Sequence, residues 1–352
     1  MKCRIGFEPH LTSINQAFNK YFSDKQELFE FQLLNKPTWQ STGHFKVINM
    51  LYFMLTSFWA FSREYDLVHI NGANFGLVAY LASFFGCQYI YTIHGCPHPE
   101  MERREGIKNS ILSIISIQLM KIVSKRAIQV YTISEFSQNE LARDFAIHAT
   151  VIYNGYDDKM FFPKAKHQFF YNAHLEHKKV FISVGRMIEG KNPWRVIDIF
   201  TQIASHSTDC HLIFIGSGVL WAEVVAYAKQ KNVFDQISFI QQVDYGEMPQ
   251  YYAGCDYFIS GCDMEGFGLG ALEAFACGCY PLLPVAGAFP EIFQCEAFFY
   301  DSNNIDKLRL GADDDVIVGQ WQGKILQKFT WANVIPQYEA VYQKILKLSQ
   351  RG

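Results

Sequence analysis

Short apolar runs and longer helical patterns alternate through the second half of the chain. VFISV (180–184), HLIFI (211–215), QISFI (236–240), DYFIS (256–260) and CYPLL (279–283) stand between stretches whose apolar residues recur every three or four positions. That alternation predicts strands joined by crossover helices, and hence a parallel sheet covered by helices. In the first interval Asn192 is placed to cap a helix with Pro193 at its first position. Val196, Ile199, Phe200 and Ile203 then share one face.

The first half repeats the theme with CRIGF (3–7), DLVHI (66–70), QYIYTI (88–93), IQVYTI (128–133) and TVIY (150–153). Two Rossmann-like α/β domains are expected, over 1–160 and 161–332, with the polar stretch 154–177 as the hinge. Residues 333–352 are expected to form a closing helix that crosses back to the N-terminal domain. Its stripe is Ile335, Tyr338, Val341, Tyr342, Ile345 and Leu348, and Pro336 fits only if it lies in the first turn. The longest apolar run, Val47 to Phe61, contains Asn49, Thr56 and Ser57 and falls short of the roughly 20 residues that cross a bilayer. It reads as a packed helix.

Composition narrows the class. Over 352 residues, 49% hydrophobic and 18% charged, with 31 Phe and 19 Tyr, the chain has ample core material. A net charge of −3 gives no general case for nucleic acid, so none is expected as a partner. Nine cysteines without zinc-type pairing read as reduced thiols of a cytoplasmic protein. The opening MKCRIGFEPH has no apolar core of a signal peptide, so export is not expected.

Candidate chemistry centres on DMEGFGLGALEAFACG (263–278). Gly266, Phe267, Gly268, Leu269 and Gly270 fall on a strand-to-helix turn, where free N–H groups and the helix dipole favour a phosphate. Glu265 precedes the turn and Glu273 lies about one helical turn inside it. Carboxylates accept hydrogen bonds from vicinal hydroxyls, so acids on both sides of a bound diphosphate suit a nucleotide sugar. Taken alone, both acids have a simpler reading, since acids commonly favour a helix N-terminus. The earlier segment SVGRMIEGKNPW adds Arg186 and Lys191 beside a strand end, cations that complement a diphosphate.

With these residues the sequence resembles the retaining glycosyltransferases of GT-B fold, and among them glycosyltransferase family 4, whose C-terminal domains carry E-x7-E. VGRMIEGKNP, FIGSGVL, ISFIQQV, MPQYYAGCDYFIS, EGFGLGALEAFACG and AGAFPEI occur in the family's order over about residues 150 to 345, with TIHG and VIYNGYD as the main matches before them. The resemblance implies a GT-B architecture, two Rossmann-like domains facing across a cleft. It implies that Arg186 and Lys191 bind the donor diphosphate, Glu265 the transferred sugar and Glu273 the ribose. Gly266 and the amides of Phe267, Gly268 and Leu269 would complete the cradle, and Val243 falls where the family contacts the nucleobase. His94, at a strand end in YTIHGCP, matches a histidine that touches the donor sugar; His94 and Glu265 are the expected catalytic residues. His94 also admits a purely structural role, or a metal site with Cys96 and His98. The family's glycine-rich loop after the first strand is missing, since only Gly6 stands there.

The reaction implied is transfer of a sugar from a nucleotide diphosphate to a hydroxyl acceptor with retained configuration. Neither metal nor cofactor is expected, because Arg186, Lys191 and the turn amides neutralise the leaving group. Acceptors in the family are frequently glycans on lipid carriers, in polysaccharide or glycolipid synthesis. A peripheral membrane face is therefore sought in 103–126, where Arg103, Arg104, Lys108, Lys121, Lys125 and Arg126 flank an apolar stripe. A buried helix with basic ends is the alternative. Two rival classes remain. A nicotinamide dehydrogenase would use Gly216 and Gly218, but Trp221 stands where its fingerprint needs glycine. A non-catalytic nucleotide-sugar or glycan binder of the same fold is the other.

Overall fold

The computed structural model describes residues 3–7, 12–23, 29–33, 65–71, 73–96, 107–165, 167–207, 209–301, 304–305, 310–311 and 314–349. They form two compact units. One is built on the N-terminal sheet and includes Ile111–Gly155 and Trp331–Gly352; the other includes Tyr156–Thr330.

The first unit holds β1 (Cys3–Phe7), α1 (Thr12–Ser23), β2 (Phe29–Leu33), β3 (Leu67–Asn71), α2 (Ala73–Ala82), β4 (Tyr89–Ile93), α3 (Ile107–Ser124, of which 107–110 fall in the other unit), β5 (Val130–Thr132), α4 (Glu135–Phe145) and β6 (Thr150–Val151). Its strands pair in parallel in the order β2-β1-β3-β4-β5-β6. Every residue of β3 and β4 is buried, the polar His69, Asn71 and Thr92 included.

The second unit holds α5 (Gln168–Asn172), β7 (Lys179–Val184), α6 (Pro193–Ala204), β8 (Cys210–Ile215), α7 (Trp221–Gln230), β9 (Ile237–Ile240), α8 (Met248–Tyr252), β10 (Tyr257–Ile259), α9 (Leu269–Ala276), β11 (Tyr280–Pro284), α10 (Phe289–Phe293), β12 (Phe299–Tyr300) and α11 (Asp314–Leu326). Its order, β12-β11-β10-β7-β8-β9, is again parallel throughout. The direction of winding reverses between β7 and β10, the doubly wound arrangement in which ligands lie beyond the strands' carboxyl ends at the reversal. On α6 the side chain of Asn192 accepts from Arg195 N–H, and Val196, Ile199, Phe200 and Ile203 are buried together as their spacing predicts.

Two strands were not read from the sequence. β2, FEFQL, includes polar Glu30 and Gln32 and among the described residues pairs only with β1; β12 is two residues long. The stretch 154–177 contains the boundary between the two units, at Gly155 and Tyr156, and its remainder is packed into the second. Phe161, Phe170 and Leu175 are buried and α5 forms within it, because its aromatic residues pack on Tyr251 and Tyr252 of α8. The apolar run 47–61 lies outside the described residues.

The closing helix, α12 (Trp331–Ser349), belongs to the first unit, where Ile335, Tyr338, Tyr342 and Ile345 pack with Phe18, Phe22, Leu67 and Ile90. The side chain of Leu348 lies outside the described residues. Pro336 does not fall in the first turn: the helix begins at Trp331, which puts proline in the second. Its missing N–H leaves the carbonyl of Ala332 without a helical donor. Ala332 faces solvent, and buried Trp331, Val334 and Ile335 hold the turn in place. A buried imidazole ties this helix to the sheet: His69 Nδ1 lies 2.6 Å from Tyr342 Oη and Nε2 2.7 Å from Thr92 Oγ1. Burial, with His94 nearby, pushes its pKa down to about 3, so the ring is neutral.

Candidate functional site

In the second unit, the loops that follow β7 and β10 flank the winding reversal, so their side chains meet. They line a recess of about 50 Å³ whose walls include Arg186, Lys191, Glu265 and Gly268. A volume of one or two waters fits a single charged group of a ligand whose remainder lies outside.

Lys191 Nζ donates to Glu265 Oε2 at 2.6 Å. Burial alone would lower the lysine's pKa, but Glu265 and Cys262 outweigh it and the net direction is upward, which keeps the ammonium charged. Behind this pair Arg195 bonds the Asp263 carboxylate and donates to the Gly261 carbonyl at 3.1 Å. A Cβ on Gly261 would lie 2.4 Å from the Asn192 carbonyl oxygen, so the two loops pack backbone to backbone. Cys262 is a thiol, its pKa pushed up to about 11 by burial.

The turn into α9 requires glycine. Gly268 has φ +86°, and a Cβ there would stand 2.6 Å from the ring of Phe289. No side chain caps this helix, so its first N–H groups are left for a ligand or water. Phe267 turns its ring into the core, edge-on to Phe329. Gly287 of AGAFPEI has φ +61° and backs onto Glu265, whose carbonyl accepts from Ala288 N–H at 2.8 Å. That motif therefore fixes the backbone of Glu265.

Glu273 is only 5% exposed. Tyr245 Oη donates to its Oε1 at 2.9 Å, yet burial still pushes the carboxyl up to about 8. Tyr245 shares the loop after β9 with half-buried Val243, and its ring meets Phe161 edge-on. Sequence reading missed Tyr245; an exposed loop tyrosine carries no pattern. It also missed Arg195 and Asp263, which look like solvated surface charges until the loops are folded.

Gly216 and Gly218 serve loop packing. A Cβ would fall 1.8 Å from the Gly185 carbonyl oxygen at the first and 2.3 Å from that of Met187 at the second, while Met187 N–H donates to Ser217 O. They seat the loop after β8 against the one carrying Arg186, and Trp221, at the start of α7, packs edge-on to Phe239.

In the first unit His94 follows β4 and is half-buried, its Nε2 3.1 Å from Oδ1 of Asn71 at the end of β3. The parallel pairing of the two strands brings both residues to one sheet end. Burial pushes the Cys96 thiol up to about 12, and His98 lies outside the described residues. Among the described residues no group of three or more His, Cys, Asp or Glu is placed to hold a metal ion. The structure thus gathers Arg186, Lys191, Glu265 and Gly268 at one recess, with Gly266, Phe267 and Leu269 on the same turn and Glu273 along α9. His94 stands on the other unit.

Residues 165–314 match the family model of the glycosyl transferases group 1, and residues 23–159 match that of glycosyltransferase family 4. An N-acetylgalactosamine-N,N'-diacetylbacillosaminyl-diphospho-undecaprenol 4-alpha-N-acetylgalactosaminyltransferase of Campylobacter jejuni is 26% identical over 61% of this chain and 55% of its own length. An N-acetyl-alpha-D-glucosaminyl L-malate synthase of Bacillus anthracis is 23% identical over 57% and 55%. The chain thus spans about half the length of these curated relatives. A sucrose-phosphate synthase of Thermosynechococcus elongatus superposes with a TM-score of 0.77 at 17% identity, over 99% of this chain and 100% of that one. HepE of Anabaena, solved with UDP-glucose, gives 0.73 at 17% over 97% and 99%. Two successive family matches running from residue 23 to residue 314, on a pair of parallel sheets, establish that this chain resembles the glycosyltransferases of family 4 and has the GT-B fold.

Proposed function

We propose that the protein transfers a glycosyl group from a nucleoside diphosphate sugar to a hydroxyl of a glycan or lipid-linked glycan, with anomeric configuration retained. The observation that carries the reading is the Lys191–Glu265 pair, 2.6 Å apart beside an uncapped glycine turn at the winding reversal. A cation and the backbone amides of the turn suit the diphosphate; the carboxylate beside them suits a sugar hydroxyl.

In this reading the bond between the anomeric carbon and the diphosphate oxygen breaks, its electron pair leaves with the diphosphate, and the acceptor oxygen bonds to that carbon while its hydroxyl proton passes to the departing diphosphate oxygen. Lys191, Arg186 and the amides of Gly266, Phe267, Gly268 and Leu269 bind the charge that grows on the leaving group, so no metal ion is needed. Glu265 holds the sugar, His94 assists at the reacting carbon, Glu273 takes the ribose, and the backbone near Val243 meets the base. The Campylobacter relative's name carries a diphospho-undecaprenol and HepE was solved with UDP-glucose, which agree with such acceptors and donors. We place the reaction in surface polysaccharide or glycolipid synthesis, on the cytoplasmic side of a membrane, with peripheral contact through 103–126.

Thermal-shift screening against UDP, GDP, ADP, CMP and TDP tests the reading, followed by mass-spectrometric turnover with the matching sugars. One nucleotide should raise the melting temperature, and its sugar should be transferred or hydrolysed. Absence of binding by all five would contradict the reading.

A further inference from the structure

We infer that Tyr245 is a displaceable stand-in for the nucleotide's ribose: its hydroxyl holds Glu273 in the free protein, gives way to a ribose hydroxyl, and returns as the spent nucleotide leaves. The inference rests on the assignment of Glu273 to the ribose made above, and adds to it a residue and a step.

The contact joins a dry place to a wet one. Glu273 lies in the second turn of α9 among buried Leu272, Ala274 and Phe275. A carboxylate so placed carries a desolvation cost unless a donor reaches it. Tyr245 Oη is such a donor, at 2.9 Å from Oε1. The hydroxyl comes from an exposed turn over residues 244–247, closed by Glu247 N–H donating to the Asp244 carbonyl at 2.9 Å. Tyr245 itself is 41% exposed, and a Cβ on the next residue, Gly246, would meet nothing within 4 Å. A wet four-residue turn rearranges at less cost than the buried helix it touches. On withdrawal of the hydroxyl, the tyrosine moves and the carboxylate stays.

A phenol and a ribose hydroxyl offer a carboxylate the same thing, one neutral O–H. A ribose that takes Oε1 therefore exchanges one hydrogen bond for another, and gains only through its second hydroxyl. This exchange weakens the hold on nucleotide at Glu273. Its use lies at the end of the reaction, when the nucleoside diphosphate must leave and release of product can limit turnover. Without Tyr245, departure would leave a buried carboxylate with no side-chain donor waiting; with it, the phenol takes over the bond that the ribose gives up.

The test is a cycle between the hydroxyl of the protein and those of the nucleotide. Calorimetry at about pH 9, above the value of about 8 to which burial lifts Glu273, compares UDP, GDP and ADP with their 2′,3′-dideoxy forms. The parent and Tyr245→Phe are both titrated. Phenylalanine keeps a ring to lie edge-on to Phe161 and removes only the donor, so the variant should melt close to the parent. The ribonucleotide that binds the parent should bind the variant about threefold to tenfold more tightly, the net contribution of a bond that no longer has to be broken. Its dideoxy form, with no hydroxyl to offer Glu273, should bind both proteins alike. The nucleoside diphosphate should also inhibit turnover of the variant at correspondingly lower concentration. Equal changes for the two nucleotide forms would overturn the inference by making Tyr245 a support of the fold. Weaker binding of the ribonucleotide by the variant would overturn it by making the phenol a partner of the ribose. The parent alone separates the readings. If it binds none of the ribonucleotides, the transfer reaction and the stand-in both fail; if it binds ribose and dideoxyribose forms alike, the ribose does not use Glu273. A parent that tells them apart, with a variant that tells them apart to the same degree, sinks the stand-in alone.

Discussion

Glu273→Gln should stabilise the protein at neutral and alkaline pH while weakening its grip on nucleotide. The carboxyl is 5% exposed, and burial lifts it from an ordinary value of 4.5 to about 8. Below about pH 4.5 the folded and unfolded chains both hold the proton, and stability is at its fullest. From there to about pH 8 the unfolded chain releases it while the folded chain keeps it, so stability falls by about 1.4 kcal/mol per pH unit. Over the interval the loss approaches about 5 kcal/mol and then levels off. Glutamine keeps the size and the oxygen that accepts from Tyr245, but it has no proton to lose. The variant should therefore match the parent near pH 4.5 and exceed it by several kcal/mol near pH 8. Urea unfolding of both proteins across this range measures the difference, which cancels the titration of every other group. A difference that stays constant with pH, or shrinks as pH rises, would refute the reasoning. If the ribose uses this carboxyl as an ionised acceptor, the same substitution should raise the nucleotide Kd about tenfold or more above pH 8, where the parent's Glu273 is charged, and by less at neutral pH.

Other outcomes follow from the same geometry. Lys191→Ala should lower kcat/KM about 10²–10³-fold, the effect of removing one charged donor from a leaving group. Its melting temperature should change little, because the pair is partly exposed and contributes about 1 kcal/mol or less. Gly268→Ala should lose about 1–3 kcal/mol of stability in urea through its left-handed backbone, with further loss from the contact with Phe289. Turnover should persist in the presence of chelator, and its abolition would assign the leaving-group charge to a metal.

The fold was legible where burial is symmetric about a strand and where a helix has one wet side. β7, β8 and α6 are of that kind, and the glycine turn announced itself because Gly268 adopts a conformation that other residues resist. Legibility ended where an element depends on its neighbours. β2 draws its stability from pairing with β1, and Pro336 sits in the second turn of α12 because Trp331 is buried one turn earlier. Residues 154–177 looked like a linker by their polar composition, yet Phe161 and Phe170 decide their place by packing. At the site, the acids and cations were identifiable by type and spacing. Their supports were not: Tyr245 on Glu273, Asn71 on His94 and Arg195 on Asp263 are contacts across 28, 23 and 68 positions, set by topology alone.

A crystal structure of the protein with the nucleoside diphosphate that stabilises it tests the central claim most directly. The account predicts the diphosphate at the N-terminus of α9, bonded to Lys191, Arg186 and the amides around Gly268, with ribose hydroxyls on Glu273 in place of Tyr245. A nucleotide bound elsewhere, with the Lys191–Glu265 pair undisturbed and no phosphate at the turn, would contradict it.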